Sequence, residues 1–196
     1  MFIEELNRHL TVSSIPELPR LLEFDKNFWN VVSIREPRVP KPDCLRNAKR
    51  YLEVFFEDRE DQPDFPSRPP RSEDVAGMFE FVDAHPGEPV LVHCLAGISR
   101  SPAFAIGIIV RGMIQSGWTD EGQQSLVEKA SSLLLQVRRR SRPNGLLLQL
   151  CFEQFMPSEK ARQLATAFVN HPPLLENRIQ QSQEISQARR AYRLGD

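Results

Sequence analysis

The chain has 196 residues, of which 40% are hydrophobic and 26% are charged, and this length and composition fit one globular domain with a full core. The formal net charge of −1 gives no support to a nucleic-acid or membrane-surface role that rests on overall electrostatics. The three cysteines are widely spaced, without a Cys-x-x-Cys pair or a His/Cys cluster, so neither a disulfide framework nor a zinc site is indicated and a reducing compartment is expected.

The N-terminal ten residues, MFIEELNRHL, carry acids where a signal peptide would have an apolar stretch. No apolar run in the chain approaches the length of a membrane span. We therefore expect a cytoplasmic protein with no membrane partner.

The hydrophobic patterns in the first third of the chain predict strands at residues 10–13, 28–34 and 51–56 and a short helix at 16–24. We interpret Arg35 and Arg38, after the second strand, as surface-loop residues, with substrate contact as the alternative.

A helix with Ser72 as its N-cap is predicted next, with its apolar positions at the helical period: Val75, Met78, Phe79 and Val82. An apolar strand at 89–92 follows, and a short loop leads into an apolar helix over 103–110. This alternation of strand and helix is typical of a buried parallel sheet. We therefore predict an α/β fold with a central, mostly parallel sheet of four to five strands flanked by helices.

The rest of the chain is predicted to be helical. One helix has Thr119 as its N-cap and an apolar face between residues 126 and 137, and another starts at Pro143 and Asn144. Four arginines end the first of these helices: Arg138, Arg139, Arg140 and Arg142. We interpret them as solvated charges that complement the helix dipole, with a substrate or partner surface as the alternative.

The residues most informative about function are HCLAGISRS, from His93 to Ser101, between the apolar strand and the apolar helix. A loop that opens a helix directs backbone N–H groups and the positive end of the helix dipole into one small space, which suits an oxyanion such as phosphate. This dipole and the Arg100 guanidinium favour the thiolate form of Cys94, which is the nucleophile. Arg100 also offers a planar fork for two phosphoryl oxygens. Gly97 is expected to adopt a backbone conformation that larger residues avoid, or to let the backbone approach the phosphate.

The pattern of valine, His93, Cys94, two residues, Gly97, two residues, Arg100 and Ser101 resembles the signature loop of the cysteine-dependent protein tyrosine phosphatases. HCLAGISRS looks most like the dual-specificity branch, and the spacing of the later Pro-Asn element is also similar to that branch. The resemblance covers roughly residues 10–156. It implies the phosphatase fold and hydrolysis of phosphate monoesters through a phosphocysteine intermediate, with no metal and no cofactor.

The resemblance also implies a role for each matching position. Cys94 attacks phosphorus, and Ser101 hydrogen-bonds the sulfur and eases its departure in the second step. His93 orients the loop, with a partly buried structural histidine as the alternative. The phosphoryl oxygens are held by the phosphate-binding loop, which consists of Leu95, Ala96, Gly97, Ile98, Ser99 and Arg100.

In the dual-specificity family, an aspartate on the loop after the preceding strand acts as the general acid. Three residues qualify here: Asp58, Asp61 and Asp64. We choose Asp58 because it is the first aspartate past the strand, where strand pairing still fixes its direction. Asp61 is the second choice, because its distance from Cys94 is closer to the usual gap of the family.

The resemblance implies a catalytic domain at residues 1–156. Residues 158–169 and 174–194 look like polar helices with too few apolar side chains for a core of their own. We therefore assign residues 157–196 to a helical C-terminal extension, whose role the sequence does not indicate.

We expect a phosphorylated protein substrate that carries phosphotyrosine and/or phosphoserine/threonine, and no nucleic-acid partner. Phosphoinositide phosphatases of this fold commonly carry lysines in the loop, whereas the loop positions here are neutral, so that activity is an alternative. A phosphopeptide-binding module without turnover is another. A thiol redox enzyme is a third, and it would need Cys44 or Cys151 beside Cys94 as a resolving cysteine. The sequence does not indicate the oligomeric state.

Overall fold

Five strands form one sheet: β1 (Phe2–Ile3), β2 (Arg8–Ser14), β3 (Asn30–Arg35), β4 (Arg50–Phe55) and β5 (Val90–Cys94). The computed structural model describes residues 1–59, 68–118 and 122–194, with side chains up to residue 187. The strand order is β1–β2–β5–β3–β4, and every neighbouring pair is parallel except β1 with β2. The predicted α/β fold with a mostly parallel sheet is confirmed.

The two central strands, β3 and β5, are buried along their whole length. Strands that are covered on both faces have nearly continuous apolar sequences, and these two strands were predicted from that pattern.

The prediction that Arg35 lies in a surface loop is wrong. Arg35 is the last residue of β3 and is only 5% exposed. Its guanidinium pairs with Glu53 of β4 and stacks on the ring of Phe55, so strand pairing extends one residue further than predicted.

Seven helices are described: α1 (Leu18–Phe24), α2 (Ser72–Asp83), α3 (Arg100–Gln115), α4 (Gly122–Val137), α5 (Gly145–Glu153), α6 (Ser158–Asn170) and α7 (Pro172–Leu194). The prediction that Ser72 caps α2 is wrong by one residue. The N-cap is Arg71, whose backbone N–H donates to Asp74 over 3.0 Å. The predicted N-cap Thr119 lies outside the described residues.

The sheet is covered on both faces. Helices α2 to α6 pack on one face and form the main core, whereas α1 and a short 3₁₀ helix, Asp43–Asn47, cover the other. Helix α6 buries an apolar face in that same main core, and its Phe168 is fully buried. Full burial of one large apolar side chain stabilises a fold by about 1.5–3 kcal/mol. The helices after residue 156 therefore contribute to the main core, and the division at that residue stays a prediction.

The parallel strands all end at one edge of the sheet, the edge at which open α/β sheets bind ligands. β5 ends there at Cys94 and α3 begins at Arg100. The signature loop, residues 93–101, therefore lies at this edge. Within the described part of the chain, no helix combines the length and the apolar character needed to cross a membrane.

Candidate active site

Cys94 lies at the base of the signature loop, where β5 ends. Its side chain belongs to the main core, and the residue is 2% exposed. Ser101, in the first turn of α3, is fully buried and donates its hydroxyl to the Cys94 sulfur, with Oγ and Sγ 3.1 Å apart. The structure thus brings these two predicted residues together.

The backbone carbonyls of residues 95–99 all accept hydrogen bonds from outside the loop. The Leu95 carbonyl accepts from Ile15 N at 3.1 Å. The next four accept from the segment between α4 and α5, which we call the connecting segment (residues 138–144): Ala96 O from Arg138 Nη2 at 3.3 Å, Gly97 O from Arg138 Nε at 3.0 Å, Ile98 O from Arg142 N at 2.7 Å and Ser99 O from Asn144 N at 3.3 Å.

These outward carbonyls determine where the amides point. In a trans peptide, the C=O of one residue and the N–H of the next point in opposite directions, and the described residues contain no cis peptide. The N–H groups of residues 96–100 are therefore turned to the inner side of the loop. Together with the N-terminus of α3, they form a cradle of partial positive charge for an anion.

Gly97 allows the loop to take this shape. Its φ is +66°, in the left-handed region. A Cβ at this position would lie 2.7 Å from the carbonyl carbon and oxygen of Ser13 and from the nitrogen of Ser14. These are backbone atoms of β2 that cannot move without breaking the sheet, so both conformation and space require glycine.

Arg100 is 2% exposed, and its guanidinium is held from two sides. Nη1 donates to the Phe56 carbonyl at 2.7 Å, and Nη2 contacts Glu36 Oε1 at 3.2 Å. The buried Nε has no hydrogen-bond partner among the described residues. A buried unpaired donor on a charged group is costly, and an anionic ligand would satisfy it. Glu36 was not a predicted site residue; its position directly after a buried strand was the available signal.

Asp58 lies against the signature loop. Its Oδ1 accepts a hydrogen bond from Ser99 Oγ at 2.7 Å and another from Asn144 Nδ2 at 2.9 Å. Asn144 also caps α5, since its Oδ1 accepts from Leu147 N at 2.9 Å. The other two candidate acids, Asp61 and Asp64, lie outside the described residues. Asp58 is thus the candidate that the described structure brings to the loop.

The interpretation of the arginine run as solvated charge is wrong for Arg138. Besides the two loop carbonyls, its Nη1 contacts both carboxylate oxygens of Glu17 at 2.8 Å. Glu17 in turn accepts from the Ser14 backbone N–H at 2.9 Å. The bond from Arg138 lowers the pKa of Glu17 to about 2, so the pair stays ionised at neutral pH. The sequence gives no sign of this contact, because an arginine at a helix end usually faces water.

His93 is fully buried on β5, directly before Cys94. Burial lowers its pKa to about 4, and the positive charge of Arg35 acts in the same direction, more strongly than the opposing Cys94 backbone contact. The imidazole is therefore neutral at physiological pH. Neither ring nitrogen has a well-formed hydrogen bond to a described residue, so its orienting role stays a prediction.

The other side chains of the loop differ in exposure. Leu95 is 45% exposed, and Ala96 is also exposed, whereas Ile98 is half-buried.

In the described part of the chain, no group of three His, Cys, Asp or Glu side chains lies close enough together to hold a metal ion.

The three cysteines are all free thiols. Cys44 packs on the sheet face opposite to the one that holds Cys94. Cys151 packs against the position of Gly107 on α3, six residues after Ser101 and so about 9 Å further along the helix. Burial raises the pKa of Cys151 far above that of a free thiol. This arrangement gives no support to a redox site at Cys94.

Comparison with solved structures identifies the fold. The chain matches the Yvh1 phosphatase domain from Chaetomium thermophilum with a TM-score of 0.52 and 20% identity, covering 84% of this chain and 93% of that one. It matches Cydia pomonella PTP-2 phosphatase with a TM-score of 0.51 and 21% identity, covering 74% and 85%. The chain therefore has the same fold as these phosphatases, and residues 93–101 resemble the signature loop of the cysteine-dependent protein tyrosine phosphatases. A human tyrosine phosphatase-like serine/threonine/tyrosine-interacting protein has the same fold (TM-score 0.51, 22% identity, 74% and 89% covered).

A curated protein also resembles this chain in sequence. The tyrosine-protein phosphatase vhp-1 of Caenorhabditis elegans is 30% identical over 99 residues, which are 48% of this chain. The match spans 13% of the length of that relative. No family model matches the chain.

Proposed function

We propose that this protein is a phosphatase that hydrolyses phosphate monoesters on proteins, at phosphotyrosine and/or phosphoserine/threonine, with Cys94 as its nucleophile. The observation that carries the proposal is the orientation of the loop. Five carbonyls face outward, so five N–H groups surround the space beside Cys94. The unpaired Nε of Arg100 adds a charged donor. Such a preorganised set of donors stabilises the charge on a transferring phosphoryl group.

In the first step, the Cys94 thiolate attacks phosphorus in line with the leaving oxygen. A sulfur–phosphorus bond forms as the ester phosphorus–oxygen bond breaks, and the loop N–H groups and Arg100 hold the three equatorial oxygens. The leaving oxygen takes a proton from Asp58, which hydrogen bonds hold against the loop. General acid catalysis of this kind contributes about 10²–10⁴-fold.

In the second step, water attacks phosphorus and the sulfur leaves. Asp58, now a carboxylate, accepts a proton from that water, which restores the acid for the next cycle. The Ser101 hydroxyl, 3.1 Å from Sγ, stabilises the departing thiolate. Free phosphate and the starting form of the enzyme result.

The neutral loop favours a protein substrate over a phosphoinositide. The side chains that follow Cys94 are Leu95, Ala96, Ile98 and Ser99. None of them carries a charge to pair with the additional phosphates of an inositol ring. A single phosphorylated side chain needs only the cradle itself.

An assay in the presence of EDTA tests the proposal. The wild type, Cys94→Ser and Cys44→Ser are compared on a phosphotyrosine peptide, a phosphothreonine peptide and a phosphoinositide. Cys44→Ser is the matched control, because this cysteine packs on the opposite face of the sheet. We expect the wild type and the control to hydrolyse a phosphopeptide, and Cys94→Ser to bind vanadate without turnover.

Other outcomes decide between the alternatives. Vanadate or phosphopeptide binding without turnover by the wild type indicates a binding module. Preferential turnover of the phosphoinositide overturns the protein substrate. Turnover by Cys94→Ser, or loss of wild-type turnover on chelation, overturns the cysteine mechanism.

A further inference from the structure

Helix α7, in the C-terminal extension, contacts the connecting segment along one side. Asn177 is central to this contact, because its Nδ2 donates to two carbonyls, Arg139 O at 2.9 Å and Ser141 O at 3.0 Å. One turn further, the buried Gln181 donates to the Arg140 carbonyl at 3.4 Å. Two more contacts flank these, one from Arg178 Nη2 to Pro143 O at 2.9 Å and one from Arg140 to Glu184 at 2.6 Å.

These contacts pair four backbone carbonyls of the connecting segment with side chains of α7. Helix α4 ends at Val137, so these carbonyls lie outside its hydrogen-bond ladder and need partners from elsewhere. Carbonyls of residues 139, 140, 141 and 143 accept from α7 side chains instead. The conformation of the segment therefore depends on helix side chains that lie 35 to 41 residues further along the chain.

The other side of the same segment holds the signature loop. Arg138, Arg142 and Asn144 donate to the carbonyls of residues 96–99, and Asn144 also donates to Asp58. The segment thus lies between α7 and the loop and makes hydrogen bonds to both. A displacement of about 1 Å at a reacting centre is enough to lower a rate by about 10²-fold.

We propose that α7 is a positioning element of the active site: Asn177 fixes the connecting segment, and the segment fixes the outward carbonyls of the signature loop. The C-terminal extension then has a role in phosphate binding although it contributes no atom to the cradle. This inference rests on the proposed function for its kinetic consequence, but the loop geometry on which it depends does not require turnover.

The test compares Asn177→Ala and Asn177→Asp with Ser186→Ala in the full chain. Asn177→Asp keeps the size of the side chain but loses both donated hydrogen bonds. Ser186→Ala is the matched control on the same helix, since among the described residues its hydroxyl donates to the Ser182 carbonyl of α7 itself. Three quantities are measured: amide hydrogen exchange of residues 138–144 and, with vanadate bound, of residues 95–100, then the inhibition constant for vanadate, and kcat and KM for an aryl phosphate.

We expect both Asn177 variants to exchange faster in both segments, to bind vanadate about tenfold more weakly and to lose about tenfold in kcat, with Ser186→Ala equal to wild type. Faster exchange at 138–144 alone, or unchanged vanadate binding and kcat, overturns the inference. If the wild type has no phosphatase activity, the proposed function fails, and exchange and vanadate binding still decide whether α7 positions the loop.

Discussion

The side-chain amide of Asn144 donates a hydrogen bond to Asp58 Oδ1 over 2.9 Å, although 86 residues separate the two in the chain. Ser99 of the signature loop donates to the same oxygen. The candidate general acid is thereby attached both to the signature loop and to the N-cap of α5. Asp58 lies beyond the end of β4 at Phe55, where strand pairing no longer holds it. These two hydrogen bonds position its side chain instead.

Asp58→Asn is expected to lower kcat by about 10²–10⁴-fold for alkyl and tyrosyl phosphates, because their leaving oxygens need a proton. The loss should be much smaller for an activated aryl phosphate, whose leaving group departs as an anion. Steady-state kinetics with a series of leaving groups measures this dependence. Asp61→Asn is the control, and the assignment moves to Asp61 if that variant alone has the leaving-group dependence.

Asn144→Asp separates the two roles of this residue. Aspartate is as good an N-cap as asparagine, so α5 should keep its cap. The variant loses the amide donor and places a carboxylate beside Asp58, which should lower kcat about tenfold or more for poor leaving groups. Asn144→Ala should in addition lose about 1 kcal/mol of stability with the cap. Equal kinetics of Asn144→Asp and wild type would show that Asp58 does not depend on this contact.

Arg138→Met is expected to weaken vanadate binding and to lower kcat up to about 10²-fold, because two signature-loop carbonyls lose their donor. The pKa of Glu17 is lowered to about 2, so the Arg138–Glu17 pair is charged at every pH above about 4.5 and the effect should not vary with pH there. Arg139→Met is the matched control, because Arg139 is the next residue in the chain and its side chain is exposed. The same loss in both variants would point to a general effect of positive charge.

His93 should make the free energy of unfolding depend on pH. Its pKa is lowered from 6.5 to about 4 in the folded protein, so between these values the unfolded chain binds a proton that the folded chain does not. Stability from this residue is therefore complete above about pH 6.5 and falls as the pH drops toward 4, by up to about 3 kcal/mol. Denaturant titrations of wild type and His93→Asn across this range measure the difference. The exposed His9 provides the control variant His9→Asn, and parallel curves for wild type and His93→Asn would contradict the prediction.

Local patterns predicted the elements that depend on local forces. The apolar positions of α2, from Val75 to Val82, recur at the helical period, and the structure buries them in the main core. The contacts that shape the site join distant residues, such as Arg138 and Glu17, which are 121 positions apart. No periodicity encodes such a pair. Strand β1 was missed for a similar reason, because two residues form a strand only through pairing with β2.

The central claim is that Cys94 carries the phosphoryl group between the two steps. Ser101→Ala removes the hydroxyl that contacts the Cys94 sulfur, so it should slow breakdown of the intermediate more than its formation. The most direct measurement is mass spectrometry of this variant after rapid acid quench during turnover of an aryl phosphate. We expect one phosphoryl group on the peptide that contains Cys94, and none in the Cys94→Ser, Ser101→Ala double variant. Continued turnover with the phosphoryl group on another residue, or with no phosphorylated Cys94 at any time point, would contradict the claim.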